Sequence, residues 1–349
     1  MELSPNQQTR DAAGNLLAAA TGVGSWPGTA PRRAAEVIVG ELDRLPYLAE
    51  LPDRGVGADM IGRAGALLVD IAIDTVPRGY RIAARPGAVT RRATSLLGED
   101  VDALEEAWEK TGGAGSGRPV KVQAAGPITL AAELELSNGH RAITDPGALR
   151  DLAASLAEGL SVHRSEVARR LSAPVVVQID EPLISAALAG RIGGVTALTP
   201  VHPVDETLAI SLYNDLVASV GAEVMLHSCA ADLPWKVLQR SALHAVSVDI
   251  GTLGADGLDG LAEFVDTGRV AVLGLVPTTA PEKRPSAEEI AAAAAAVTDR
   301  IGFPRSVLGT RIGVSPACGL AGATEAWARV ATGLCQRAAT SIADDASAI

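Results

Sequence analysis

The sequence predicts an α/β protein, a single (β/α)₈ barrel of the TIM type, from two observations. Short apolar runs typical of buried strands recur along the chain and alternate with segments of helical spacing. No long polar linker interrupts this pattern, although 349 residues would allow two domains. The eight strand candidates lie near residues 21, 70, 122, 177, 226, 247, 273 and 313. A doubly wound open sheet is the alternative, because periodicity alone does not distinguish closed from open parallel sheets.

The segments between these runs are typical of helices. Helical spacing of apolar residues is found at 31–48, 99–109, 146–171, 204–220 and 323–340. Ser286 and Glu289 form a capping-box pattern before an alanine-rich run, which predicts another helix. The second strand, within residues 66–73, could equally be part of a helix. We expect residues 1–18 to form an N-terminal tail and residues 19–349 to form the barrel.

Composition excludes several classes of function. The net charge of −11 argues against a nucleic-acid partner, because phosphates would be repelled over most of the surface. Three cysteines are too few for a disulfide framework, and reduced thiols are the simpler interpretation. No secretory leader and no apolar run of membrane-spanning length is visible in the sequence. A cytoplasmic protein without a membrane partner is therefore expected.

Metal-binding residue types follow several predicted strands. His227 ends an apolar run and Cys229 follows it, Asp249 ends the next run, and Cys318 follows the last strand. Active residues of such barrels gather at the carboxyl ends of the strands, and zinc prefers about four N, S or O ligands. These residues therefore predict a zinc site at the barrel mouth. Asp180 lies at another strand end and is a further candidate.

Less specific interpretations of these residues remain open. A lone histidine after a strand is usually a structural residue, and a cysteine in an alanine-rich chain is usually a small buried hydrophobe. Cys335 lies on the last predicted helix and is expected to serve packing.

An ordered set of motifs resembles the catalytic domain of cobalamin-independent methionine synthase. His227-Ser-Cys229 resembles the family's His-x-Cys zinc pair, and the Cys-Gly-Leu sequence that begins at Cys318 resembles the segment that provides the third ligand. Gln-Ile-Asp-Glu-Pro at 178–182 and Gly-Val-Gly-Ser at 22–25 are similar to its substrate-binding segments. The similarity spans roughly residues 20–325.

The resemblance implies zinc-dependent methylation of the homocysteine thiol to give methionine. It implies zinc ligands at His227, Cys229, Cys318 and Asp249, and a catalytic, substrate-binding role for Asp180, which would hold the amino group. The remaining substrate-binding residues that it implies are Gly24, Ser25 and Glu181. The methyl donor would be a methylated folate or a methylated corrinoid protein.

The chain departs from the family pattern in four respects. Asp249 replaces a glutamate ligand, and Thr279 stands where the family has a histidine. No Gly-Glu-Pro motif is found near residues 60–80, where Asp70 or Asp74 could serve instead. The chain also has one predicted barrel, where the full-length family form has a second.

Two alternatives to this function remain open. One is a zinc-binding or amino-acid-binding relative without catalysis. The other is a metal-free barrel resembling uroporphyrinogen decarboxylase, in which Arg78, Arg81 and Arg85 would hold a polycarboxylate.

Overall fold

The computed structural model describes residues 15–194 and 200–349. Within these ranges the strands are, in chain order, β1 (Ala72–Val76), β2 (Gly79–Ala83), β3 (Val120–Ala125), β4 (Leu134–Glu135), β5 (Val175–Asp180), β6 (Val224–Ser228), β7 (Ala245–Asp249), β8 (Val270–Val276) and β9 (Ile312–Pro316). Strands β3 and β5 to β9 form one parallel sheet of six strands, in the order β3-β5-β6-β7-β8-β9. The six corresponding sequence predictions, near residues 122, 177, 226, 247, 273 and 313, are confirmed.

Helices precede, connect and follow the strands of this parallel sheet. They are α1 (Pro31–Glu41), α2 (Met60–Leu67), α3 (Ala88–Lys110), α4 (Pro127–Glu133), α5 (Pro146–Leu171), α6 (Ile184–Leu188), α7 (Glu206–Val220), α8 (Trp235–Arg240), α9 (Ala255–Asp266), α10 (Ala287–Arg300), α11 (Arg305–Arg311) and α12 (Glu325–Asp345). The predicted capping box is present, because Ser286 Oγ accepts from Glu289 N and the Glu289 carboxylate accepts from Ser286 N. None of the described helices combines the length and apolarity needed to cross a membrane.

Two short extended segments flank the parallel sheet. Ala20 forms a parallel bridge with Val314 of β9, and Tyr47 forms one with Lys121 of β3. A third parallel bridge joins Ser25 to Glu50, so the two segments also contact each other. Segments 20–25 and 47–50 therefore lie between the two edge strands of the sheet. The predicted strand near residue 21 corresponds to the first segment, whereas the helix predicted over 31–48 ends at Glu41.

The predicted second strand of the parallel sheet, near residue 70, is wrong. Residues 60–67 are helix α2, and residues 72–76 form β1, which pairs with β2 in an antiparallel hairpin. Together with β4, this hairpin forms a separate sheet of three strands. Asp70 adopts a φ of 58° between the helix and the strand, so the apolar run is broken by a turn.

Period-2 alternation places one layer of polar side chains on a single face of the parallel sheet. In β5, Val176, Gln178 and Asp180 share a face, and the register aligns Asp180 with His227 of β6. At the amino ends of the strands this face is apolar and packs against Leu17. The carboxyl ends of the same face carry the polar side chains, so the alternation positions the candidate site.

Of the predicted tail, residues 1–14 lie outside the described residues. Leu17 is fully buried in the apolar cluster of Ala19, Leu45, Val176, Met225, Ala245, Val270 and Val272.

Candidate metal and substrate site

A cavity of ≈ 220 Å³ opens at the carboxyl ends of β5 and β6. It brings together most of the residues that the sequence predicted, although these residues are far apart along the chain. Its lining comprises Val23, Gly24, Ser25, Glu50, Pro52, Ala58, Met60, Asp180, Pro182, His227, Cys229, Cys318, Gly319 and Ala321. Apart from Glu50, the polar residues of this set are those expected for metal and amino-acid binding.

Three metal-donor side chains meet at this cavity. The donor atoms of His227, Cys229 and Cys318 all lie within 4.8 Å of one another. The distance from His227 Nε2 to Cys229 Sγ is 3.4 Å, the distance to Cys318 Sγ is 4.0 Å, and the two sulfurs are 2.6 Å apart. Three of the four metal ligands predicted from the sequence therefore lie together at the cavity.

Ser247 orients the His227 ring. His227 Nδ1 lies 3.1 Å from Ser247 Oγ on the neighbouring strand β7, and both side chains are buried. A hydrogen bond at Nδ1 leaves Nε2, which faces the two sulfurs, as the coordinating nitrogen.

The sulfur atoms of the two cysteines are in direct contact. The hydrogen bond from Cys229, together with His227, lowers the pKa of Cys318 to about 4. The same contact with Cys318, followed by burial, raises the pKa of Cys229 above its usual range. This environment favours the thiolate form of Cys318, and a thiolate is the form of cysteine that binds metals.

The donor set fits a zinc ion. In a tetrahedral site with Zn–S of about 2.3 Å and Zn–N of about 2.0–2.1 Å, the nitrogen–sulfur separation is about 3.5 Å and the sulfur–sulfur separation about 3.8 Å. The observed nitrogen–sulfur distances of 3.4 and 4.0 Å agree with this geometry. Only the two sulfurs need to separate, by about 1 Å, and both cysteines lie in loops after strand ends.

Asp249 lies outside this group of donor atoms among the described residues. It ends β7, and its Oδ1 accepts a hydrogen bond of 2.8 Å from Gly251 N, which caps the following turn. The carboxylate is near enough to contribute to the raised pKa of Cys229. Its role as a fourth ligand stays a prediction.

Asp180 is a buried carboxylate that faces the cavity. Gln178 Nε2 donates to its Oδ1 at 2.7 Å. Burial raises the pKa of Asp180 to about 7, although the nearby His227 and Lys121 oppose the shift. Lys121 is fully buried, its Nζ donates to Val23 O at 3.0 Å, and burial lowers its pKa to about 8. A buried base, Lys121, therefore interacts electrostatically with the buried acid of the cavity, although it does not itself line the cavity.

Glu50 is the cavity residue that sequence reasoning missed. Its buried carboxylate accepts from Gln123 Nε2 at 3.2 Å, and Arg63 Nε lies 3.6 Å from its Oε1. Asp70 and Asp74, the candidates for an additional acid, are not among the cavity-lining residues. The signal that could have identified Glu50 is its position after the short apolar run that begins at Tyr47.

Glu181 is fully buried and faces away from the cavity lining. It accepts hydrogen bonds from Ile128 N at 3.0 Å, Thr129 N at 2.7 Å, Thr129 Oγ1 at 2.6 Å and Tyr213 Oη at 3.1 Å. These bonds cap the start of α4, where Gly126 provides no side-chain cap, and connect it to α7. Glu181 therefore fixes two helices around the strand end that carries Asp180.

Ser25 and Gly24 form the turn opposite Asp180. Gly24 adopts a φ of 155°, and a Cβ there would lie 2.9 Å from Gln123 Cγ. Ser25 Oγ accepts from Ala321 N at 3.3 Å, and Ser25 O accepts from Leu320 N at 2.9 Å. These bonds join the turn to the loop that carries Cys318, so the predicted carboxylate-binding turn and the metal-donor loop share one wall.

Comparison with known proteins extends these observations. The chain is similar in structure to a B12-independent methionine synthase from Shewanella sp. W3-18-1 in complex with selenomethionine, with a TM-score of 0.58 and 13% identity over 95% of this chain and 100% of that one. A second similar structure is the putative vitamin-B12-independent methionine synthase from Listeria monocytogenes, with a TM-score of 0.51 and 16% identity over 93% and 96% of the two chains. A search of curated proteins gave no significant match.

The family assignment comes from the sequence itself. Residues 17–341 match the family model described as "Cobalamin-independent synthase, Catalytic domain". This match covers nearly the whole chain and agrees with the structural likeness, which at these identities shows the fold. The chain therefore belongs to the family of cobalamin-independent synthase catalytic domains, a family of methyltransferases.

Proposed function

We propose that this protein is a zinc-dependent methyltransferase that methylates the thiol of homocysteine to form methionine. The single observation that carries the proposal is one cavity lined both by His227, Cys229 and Cys318 and by two buried carboxylates. The first set suits a metal that binds thiols, and the second suits the ammonium group of an amino acid.

His227, Cys229 and Cys318 are the proposed zinc ligands, with Asp249 the candidate for a fourth. When bound, zinc lowers the pKa of a coordinated thiol and so supplies the reactive thiolate at neutral pH. Three protein ligands leave a position for an exogenous thiol, as is usual in catalytic zinc sites.

The other cavity residues would hold the amino acid. Asp180 and Glu50 would accept hydrogen bonds from the substrate ammonium, with Asp180 the catalytic positioning acid that the resemblance implies. Ser25 Oγ and the backbone amides next to Gly24 would bind the carboxylate. Glu181 would act through its neighbour Asp180, because its own carboxylate is engaged by α4 and Tyr213.

The barrel is proposed to be closed. Segments 20–25 and 47–50 bridge β9 and β3 and contact each other, so they supply the two positions needed for a ring of eight. Closure would leave the cavity open only at the mouth, where a donor can approach. Residues 19–349 would then form the single barrel, with residues 1–18 as the tail.

A methylated folate is the proposed donor, because the family uses small-molecule substrates of this kind; the proposed location is the cytoplasm. No described contact favours a corrinoid protein. The decarboxylase-like alternative has no support at the cavity, since Arg78, Arg81 and Arg85 lie on or beside β2 and none lines it.

Metal content is the decisive first measurement. We expect about one zinc per chain in the wild type and its loss in Cys229→Ser and in Cys318→Ser. Cys335→Ala is the matched control, because this free thiol is buried on α12 among apolar residues, and it should keep its zinc. A zinc-supplemented, folded wild type without metal would contradict the proposal.

The zinc-loaded protein is then assayed for methyl transfer to homocysteine. The donors compared are methyltetrahydrofolate, its polyglutamate form and a methylated corrinoid protein. Binding of homocysteine without turnover from any donor would support the non-catalytic relative instead.

A further inference from the structure

Glu50 is one end of a network of four buried, charged side chains that leads away from the cavity. Arg63 on α2 lies between Glu50 and Asp100 of α3, and its Nη1 donates to Asp100 Oδ2. Arg54 Nη2 donates to the other oxygen of Asp100 at 2.5 Å. The side chains of these four residues are all less than one-tenth exposed.

Glu50 balances the buried charge of Arg63 in this network. Asp100 faces both guanidinium groups; Arg54 also lies 3.5 Å from the exposed carboxylate of Glu99, whereas the second acid beside the buried Arg63 is Glu50. An unpaired buried charge is strongly destabilising. Glu50 Oε1 lies 3.6 Å from Arg63 Nε.

The unused hydrogen-bond donors of Arg63 also indicate that it pairs with Glu50. Its Nε and Nη2 are buried and have no hydrogen-bond partner among the described residues, whereas Nη1 is used by Asp100. Buried donors of this kind normally require an acceptor. Glu50 Oε1 is the acceptor within reach of Nε.

We infer that Arg63, anchored by Asp100, is a positioning residue that favours the ionised form of the Glu50 carboxylate and aims it at the cavity to receive the ammonium group of an amino-acid substrate. The inference rests on the proposed function and specifies it further. Arg63 does not line the cavity, so it acts on the substrate only through Glu50. Recognition of the ammonium group then depends on residues outside the cavity.

The test compares two ligands that differ only in the amino group. L-Methionine and 4-(methylsulfanyl)butanoate are titrated calorimetrically into zinc-loaded wild type, Arg63→Gln, Arg63→Lys and Asp100→Asn. In Arg63→Gln the Glu50 carboxylate is no longer held in place, so methionine binding should weaken by about tenfold or more. The reason is that a hydrogen bond between an ammonium group and a carboxylate is stronger than one between neutral groups. Binding of the desamino ligand should be unchanged, and Arg63→Lys should recover part of the affinity.

A double-mutant cycle separates positioning from a general effect on folding. In a Glu50→Gln background, Arg63→Gln should cause no further loss of methionine affinity, because the two residues act as one unit. Arg91→Gln, an exposed arginine on α3, is the matched control and should bind both ligands as the wild type does.

Two results would overturn the inference. Equal weakening of both ligands in Arg63→Gln, or additive losses in the double mutant, would make Arg63 a structural residue only. Wild type that binds neither ligand would instead overturn the proposed function, and the inference with it.

Discussion

Replacement of Glu181 by glutamine should change how the stability of the protein depends on pH. The carboxylate accepts four hydrogen bonds, two at each oxygen, in a fully buried position between α4 and α7. Glutamine has one acceptor oxygen, and its amide nitrogen would face hydrogen-bond donors. The variant therefore removes the ionisable group and leaves about two donors unsatisfied.

The magnitude follows from the pKa of Glu181, which burial raises from 4.5 to about 7. Between these values the folded state binds the proton and the unfolded state does not. The contribution of Glu181 to the free energy of unfolding is therefore largest below pH 4.5 and falls as the pH rises towards 7. A difference of about 2.5 pH units corresponds to about 3 kcal/mol.

At pH 5.5 the wild-type carboxyl is protonated and, like the amide, has a hydrogen-bearing atom facing the donors on one side. The variant should therefore be less stable than the wild type by about 1–3 kcal/mol at this pH. By pH 8.5 the wild type has lost about 2 kcal/mol through ionisation of Glu181. The difference in stability between wild type and Glu181→Gln should narrow by that amount.

Urea unfolding of both proteins across this pH range, at constant excess zinc, measures the difference directly. Subtracting the two curves removes the contribution of other titrating groups, including Asp180. Glu158→Gln, on the exposed face of α5, is the control and should follow the wild type at every pH. A stability difference between Glu181→Gln and wild type that does not vary with pH would refute the assignment of a buried, proton-binding carboxylate at this position.

Three further substitutions test the site and its support. Asp249→Asn should keep about one zinc per chain, because Asp249 Oδ1 caps Gly251 and the other three donors meet without it; loss of zinc from this variant would instead support Asp249 as the fourth ligand. Gly319→Ala should weaken methionine binding at least several-fold in calorimetry with zinc retained, since the new Cβ would lie 2.1 Å from Ser25 Oγ and displace it; unchanged affinity would exclude Ser25 as the carboxylate anchor. Gly159→Ala should lower the free energy of urea unfolding by about 1–3 kcal/mol or more, because its Cβ would lie 1.7 Å from Leu67 O, and an unchanged midpoint would contradict this close approach of α5 to α2.

Most of the parallel sheet could be predicted from the sequence because its strands carry continuous buried runs. The run at 175–180 and that at 224–228 are buried at every position, and both lie where strands were predicted. The prediction of a parallel strand near residue 70 was wrong for a physical reason. A helix and a hairpin strand, joined at Asp70, together make one apolar run, and composition does not reveal the turn between them.

The candidate site could be predicted where a functional side chain directly follows a strand. His227 and Asp180 are of this kind, and their alignment across β5 and β6 follows from parallel pairing. Glu50 could not be found in the same way, because segment 47–50 forms only isolated bridges and has no strand-like length. The alternation of Lys121 and Gln123 within apolar β3 was a usable signal, since two polar residues on one face of a buried strand indicate a polar interior.

The charges around the cavity favour a zwitterionic ligand over a simple acid or amine. Lys121 and Arg63 oppose Asp180 and Glu50 on the buried side, and Arg54 and Asp100 balance each other behind them. A ligand with one charge would leave an excess charge in this low-dielectric region, which is costly. An α-amino acid brings one positive and one negative group, so its binding preserves the balance. The same reasoning explains why the desamino ligand should bind wild type more weakly than methionine does. Removal of Arg63 should reduce that preference for a different reason, because Glu50 would lose the cation that favours its ionised form.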